Sequence, residues 1–243
     1  WKSRGLGDVY KRQIQYDLSS QFQKAWYFMN NINNSVNRFS SIEQLNQYVI
    51  SALIDSCKQQ NPHLILSGGR SPLPIYSILG KILDRSSNPI IVPSDERRVP
   101  ISNDLSNEGM IKKYFINLEE KNYISLHDLS AKLLLNKINE YELSLLGFGT
   151  DGHFASIFPN MDNLENALHD TESLVRVDSG FPDVPRISLT LGELSKAKKT
   201  LLLATSKNKL DLILAKRSNF ALLPIDYLIK SVENIEILTL NFD

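Results

Sequence analysis

The 243 residues include 42% hydrophobic side chains, enough to bury one substantial core, and their 27 basic and 27 acidic groups cancel. With no net charge there is no overall field to hold nucleic acid or an anionic membrane surface, so any anion site must be built locally and the expected partner is a small molecule. Cys57 is the sole cysteine, which excludes an intramolecular disulfide and a cysteine-rich metal cluster, and it reads as a buried helix residue in a reducing, cytoplasmic setting.

In chain order, residues 1–13 stand apart. Asp8-Val9-Tyr10-Lys11-Arg12-Gln13 looks like the translated end of a sequencing adaptor, so this leader is expected to be non-native and poorly packed, with one domain over residues 14–243. No stretch approaches the ~20 apolar residues of a membrane span, and no charged-then-apolar export leader is visible. From Ser40 to Lys58, apolar residues recur at Ile42, Leu45, Val49, Leu53 and Cys57, the spacing of an amphipathic helix, with Ser40 or Ser41 as its cap and Glu43 in its first turn. His63 to Leu66 follows Asn61-Pro62 as a short strand, and Leu73 to Leu83 reads as a second helix. Ile90 to Val92, Leu143 to Leu146 and Thr200 to Ala204 are further apolar runs suited to buried parallel strands, with helices between them. This alternation predicts an α/β domain whose mostly parallel sheet is covered on both faces and takes ligands at the carboxyl ends of its strands. No internal repeat, low-complexity tract or long linker breaks the pattern.

Three loops carry chemistry. Leu66-Ser67-Gly68-Gly69-Arg70-Ser71-Pro72 runs from a strand into a helix start, where free amides and the helix dipole favour an anion and Gly68 and Gly69 leave room for it; a plain strand-to-helix turn fits the same residues. Pro93-Ser94-Asp95-Glu96-Arg97-Arg98-Val99-Pro100 is dense in charge and, by itself, reads as a solvated loop. Gly147-Phe148-Gly149-Thr150-Asp151-Gly152-His153 places a carboxylate and an imidazole on a glycine-rich turn after an apolar strand, where His153 is either a general base or a turn residue bonded to backbone. Gly147, Gly149 and Gly152 also spell a dinucleotide fingerprint, with Glu172 at the distance of a ribose acid. That reading fails, because Pro159 stops the helix such a motif must open and Asp151 would face a pyrophosphate.

Asp151-Gly152-His153-Phe154-Ala155-Ser156-Ile157-Phe158-Pro159 resembles the Asp-Gly-His-Thr-Ala-Ser-Leu-Phe-Pro segment of the 6-phosphogluconolactonase family, within the glucosamine-6-phosphate isomerase/6-phosphogluconolactonase superfamily; Phe154 stands where threonine is usual. Gly68-Gly69-Arg70-Ser71-Pro72 is similar to the family's Gly-Gly-Ser-Thr-Pro loop, and Asp95-Glu96-Arg97-Arg98-Val99-Pro100 with Ser106-Asn107 to its Asp-Glu-Arg-x-Val-Pro and Ser-Asn. Pro185-Arg186-Ile187-Ser188-Leu189 and the lysine of Ser206-Lys207-Asn208-Lys209 extend the match, although Ser206 replaces a glycine and a Pro-Ala-Ala element near Leu223-Pro224-Ile225 is missing.

The resemblance implies a three-layer α/β/α sandwich with a mostly parallel, Rossmann-like sheet. It implies hydrolysis of 6-phosphoglucono-δ-lactone to 6-phosphogluconate with His153 as base, Asp151 orienting it, and Gly68, Gly69, Arg97, Asn107, Arg186 and Lys209 holding the phosphosugar. Neither a metal nor an organic cofactor is called for, no nucleic acid or membrane is involved, and a monomer or homodimer is expected. Two other readings remain at this point. An amino-sugar-phosphate deaminase or isomerase of the same fold would carry Asn-Glu-Pro soon after Gly152-His153, which is not found here; a sugar-phosphate sensor without turnover would retain binding alone.

Overall fold

The computed structural model describes residues 35–83, 89–214 and 222–242; the expectation for residues 1–13 lies outside them. Strands β1 (Val36–Phe39), β2 (His63–Leu66), β3 (Ile90–Pro93), β5 (Leu143–Gly147), β8 (Thr200–Ala204) and β9 (Ile235–Leu240) form a six-stranded sheet in the order β1-β9-β8-β5-β2-β3, every pair parallel. Because a strand alternates its side chains, Leu64, Leu66, Leu143, Leu145, Leu201, Leu203 and Leu238 share one core with the helices on their side. Ile65, Leu146, Leu202 and Ile237 point the other way and are equally buried, so both faces are covered, as a parallel sheet requires.

Helix α1 (Ile42–Cys57) starts where Ser41 Oγ accepts the Gln44 N–H, and it buries Leu45, Val49 and Leu53 completely, each worth roughly 1.5–3 kcal/mol. Helix α2 (Leu73–Ile82) opens behind Pro72, whose missing N–H costs nothing in a first turn. Helix α3 (Asn107–Tyr114) packs on α2, and its Ile111 joins the same core. β2 leads to β3 on one side and lies against β5 on the other, so the chain reverses its winding between β2 and β5. The loops after those two strands therefore open beside each other, tied by the Ser67 N–H to the Leu145 carbonyl (3.0 Å).

The Asp95-Glu96-Arg97 run corrects its reading as a solvated loop. Ser94 N–H donates to Leu66 O and Ser94 O accepts the Leu189 N–H, carrying the chain directly from β3 into a second sheet. That sheet is antiparallel, ordered β4 (Asp95–Arg97), β7 (Arg186–Leu189), β6 (Leu174–Val177). Asp95 and Glu96 are buried there because their carboxylates are met by donors. Glu96 takes the Asn107 N–H (2.8 Å) on one oxygen and the Glu108 N–H (2.7 Å) and Ser106 hydroxyl (3.0 Å) on the other, capping the start of α3 with negative charge.

Candidate active site

The turn after β5 brings two of the expected residues into contact. His153 Nδ1 lies 2.6 Å from Asp151 Oδ1, which also accepts the His153 backbone N–H at 3.3 Å. The carboxylate accepts the Nδ1 proton and leaves the Nε2 lone pair as the basic atom. A Cβ at Gly149 would overlap both Asp151 Oδ1 and the His153 ring, so the absent side chain is what lets the pair form. Gly152 (φ +83°) turns the chain back, and its carbonyl accepts the Ile225 N–H (2.9 Å), docking the Leu223-Pro224-Ile225 start of the C-terminal helix (Pro224–Ser231) on the turn. His153 keeps about a third of its side chain open, and its ring stacks at 4.5 Å on Phe158.

Across the mouth of β2, the loop behaves differently from the open anion cradle read from its glycines. Gly69 takes φ +85° and is exposed, as is Arg70. Gly68 faces Asn107, whose amide oxygen and carbon a Cβ there would overlap. Both ends of the Asn107 amide are engaged: Oδ1 accepts from Arg97 Nη1 (2.7 Å), and Nδ2 donates to Asp95 O (2.8 Å) and Oδ1 (3.2 Å).

The small sheet sets Arg97 directly opposite Arg186 in register. Like charges so paired repel. Arg97 is held by the Leu105 carbonyl (2.9 Å) and Asn107, Arg186 by the Pro182 carbonyl (3.0 Å), and among the described residues neither forms an ion pair with a carboxylate. Burial, then the Arg97 charge, lowers the Arg186 pKa, while nearby Asp95 opposes both. Two guanidiniums tethered by neutral acceptors leave positive charge for an anion to meet. Lys209, in the first turn of the helix Lys207–Ile213, stands 5.2 Å over the Phe148 ring, and burial lowers its pKa.

Asp95 was not singled out in the sequence, yet it joins the two halves. Its Oδ1 accepts from Ser94 (2.9 Å) and Asn107, and its Oδ2 from Ser156 (2.5 Å), which sits in the His153 turn. Only pairing between β4 and β7 and closure of the turn reveal this. One further cluster, Glu96, Glu108 and His127, has ligand-type atoms within 4.8 Å of one another. Glu96 is already spent on the α3 amides, and Lys112 Nζ stands 2.9 Å from Glu108 Oε1, so a cation occupies that position in the fold itself.

Residues 37–234 match the family described as glucosamine-6-phosphate isomerases/6-phosphogluconolactonase. The chain belongs to this family. It is 32% identical over 158 residues to the 6-phosphogluconolactonase of Caulobacter vibrioides, covering 59% of this chain and 68% of that one. The Thermotoga maritima 6-phosphogluconolactonase is 31% identical over 160 residues, 61% and 71% of the two chains. In three dimensions the fold is similar to a 6-phosphogluconolactonase crystal structure from Shewanella baltica, with a TM-score of 0.75, 22% identity, and coverage of 85% of this chain and 97% of that one. As in all members of such a fold, it is the residues at the strand ends that decide the chemistry.

Proposed function

We propose that this chain hydrolyses 6-phosphoglucono-δ-lactone to 6-phosphogluconate, and the observation that carries the reading is the Asp151–His153 pair beside Phe158, over whose ring stands Arg186, itself opposite Arg97 and, like it, without a carboxylate partner among the described residues. A lactone is an activated ester, and its opening needs a base for water and an acid for the leaving oxygen. His153 Nε2 takes the proton of the attacking water while Nδ1–H stays on Asp151, which keeps the tautomer and supports the imidazolium that forms. The same imidazolium then returns its proton to the ring oxygen as the carbonyl carbon–oxygen bond breaks. Arg97, Arg186 and Lys209, with the exposed Gly69 end of the loop, hold the distal phosphate; Asn107 acts by fixing Arg97, and Gly68 by leaving room for Asn107.

The lactonase names of the relatives at 31–32% identity support this branch of the family. Phe154-Ala155-Ser156-Ile157 after His153 lacks the acid a deaminase would place there. No helix among the described residues is long and apolar enough to cross a membrane, and Cys57 is a buried free thiol; we read the enzyme as cytoplasmic. The test is the loss of 6-phosphoglucono-δ-lactone with time, corrected for spontaneous hydrolysis, beside ammonia release from glucosamine-6-phosphate. Lactone loss without ammonia is expected; ammonia without lactone loss, or binding without either, overturns the reading.

A further inference from the structure

Phe158 touches both halves of the site. Its ring lies 4.5 Å from the His153 imidazole with the planes 36° apart, and Arg186 Cζ stands 5.3 Å over the same ring. The residue is 5% exposed, and a Cβ at Gly180 would come within 2.8 Å of ring Cε2, so the ring has no room to withdraw on that side. Its own backbone follows a tight turn closed by the Ile157 N–H to the Phe154 carbonyl (2.8 Å). The proton transfers described above use none of these contacts.

We propose that Phe158 is a positioning residue that fixes the plane of the His153 imidazole and its spacing from Arg186, coupling the base to the phosphate end of the site. Asp151 restrains rotation of the imidazole about Cβ–Cγ through a single hydrogen bond at Nδ1, which limits the ring plane without fixing it. The tilted Phe158 ring 4.5 Å away narrows the remaining rotation and aims Nε2. The contact also changes during turnover, because an imidazolium is drawn to the negative face of an aromatic ring more strongly than a neutral imidazole is. Arg186 draws on the same ring, so a phosphate that offsets the arginine strengthens the support left for the protonated base. This role rests on the lactonase reading of the site.

The experiment compares wild type with Phe158→Leu and Phe158→Met, which keep an apolar side chain and lose the ring, after melting curves and 6-phosphogluconate binding establish that each variant is folded. With the lactone, kcat is expected to fall by about 10- to 100-fold, the scale of a slightly misplaced reacting group, while KM moves less than about threefold. The acid limb of the rate profile is expected to move down by about half a pH unit, the worth of one cation–π contact. The imidazole proton signals of His153, assigned by their loss in His153→Ala, are followed against pH with and without inorganic phosphate. Their titration is expected to shift in the same direction in the variants and to respond less to phosphate. A kcat within twofold of wild type with an unmoved acid limb overturns the role, as does a rise in KM alone. If wild type does not open the lactone, the lactonase reading fails by itself, and the imidazole titration still decides whether Phe158 supports His153. Should Phe158→Leu not fold, Phe158→Met carries the same expectations.

Discussion

Replacing Gly68 by alanine tests how the phosphate end is assembled without touching any group that would meet the ligand. The new methyl overlaps the Asn107 amide, and the obstacle lies beyond the Asn107 Cβ, at its carbon, oxygen and nitrogen. Asn107 is buried and cannot swing into solvent, so it gives up its bonds to Arg97 (2.7 Å) and Asp95 (2.8 Å). With the 3.2 Å bond to Asp95 Oδ1, that is two hydrogen bonds to charged groups and one neutral one, together about 3.5–7.5 kcal/mol of folding stability. The ligand feels only the loosened Arg97, which keeps its bond to the Leu105 carbonyl, so 6-phosphogluconate should bind about 10- to 100-fold more weakly, one charged hydrogen bond's worth. Asn107→Ala removes the colliding atoms. In Gly68→Ala/Asn107→Ala the three nearest obstacles to the methyl are gone, and the double variant should lose no more than Asn107→Ala alone. Calorimetric titration with 6-phosphogluconate and thermal melts on the four proteins complete the cycle. Additive losses would mean that Gly68 serves the ligand directly, as its position in the loop first suggests, and would refute the Asn107 account.

Three other outcomes are expected. His153→Ala should leave the fold and 6-phosphogluconate binding intact while turnover falls by about 10²- to 10⁴-fold, the contribution of a positioned general base; near-normal turnover removes it from the mechanism. Arg97→Ala and Arg186→Ala should each weaken 6-phosphogluconate by roughly 1.5–3 kcal/mol and scarcely affect unphosphorylated gluconolactone, whereas exposed Arg98→Ala does little; equal losses on both ligands defeat the phosphate assignment. Burial holds the Lys209 ammonium below its ordinary pKa of 10.5, so in the free protein its charged form costs stability at neutral pH, and the cost fades as pH rises through the lowered value. Lys209→Met should accordingly raise the melting temperature at pH 7, flatten its alkaline rise, and abolish the loss of phosphosugar affinity over that same alkaline range; an unchanged alkaline affinity profile would show that this ammonium does not hold the ligand.

Runs that are apolar from end to end and bounded by turn residues were readable to the residue: β2 spans His63–Leu66 and β8 spans Thr200–Ala204, as their composition predicts. The first long helix was equally plain, since its period, its Ser41 cap and its buried stripe all agree. The small antiparallel sheet was not, because β4 is charged and its partner Ser188 lies far along the chain from Asp95. A buried charged strand looks like a surface loop until the donors that satisfy it are found, and those of Glu96 come from the amides of a helix that starts eleven residues later in the chain. The turn around His153 was legible from its glycines and its resemblance to known lactonases. The coupling of Asp95 to Ser156 and of Phe158 to Arg186 was not, since each depends on strands meeting across the fold.

Glu96 has a consequence for the energetics of recognition. Its carboxylate fastens β4 to the first turn of α3, while its neighbour Arg97 is held from that same turn by Asn107. The guanidinium is thus mounted on a strand and a helix, two of the least deformable parts of the molecule, and its arrangement exists before any sugar arrives. If the proposed phosphate site is right, little conformational freedom is left to surrender there, and the attraction between a dianion and these cations would go into affinity instead of into ordering a loop. Repulsion between Arg97 and Arg186 is likewise borne once, when the chain folds, and under the proposed function its relief would belong to every binding event thereafter.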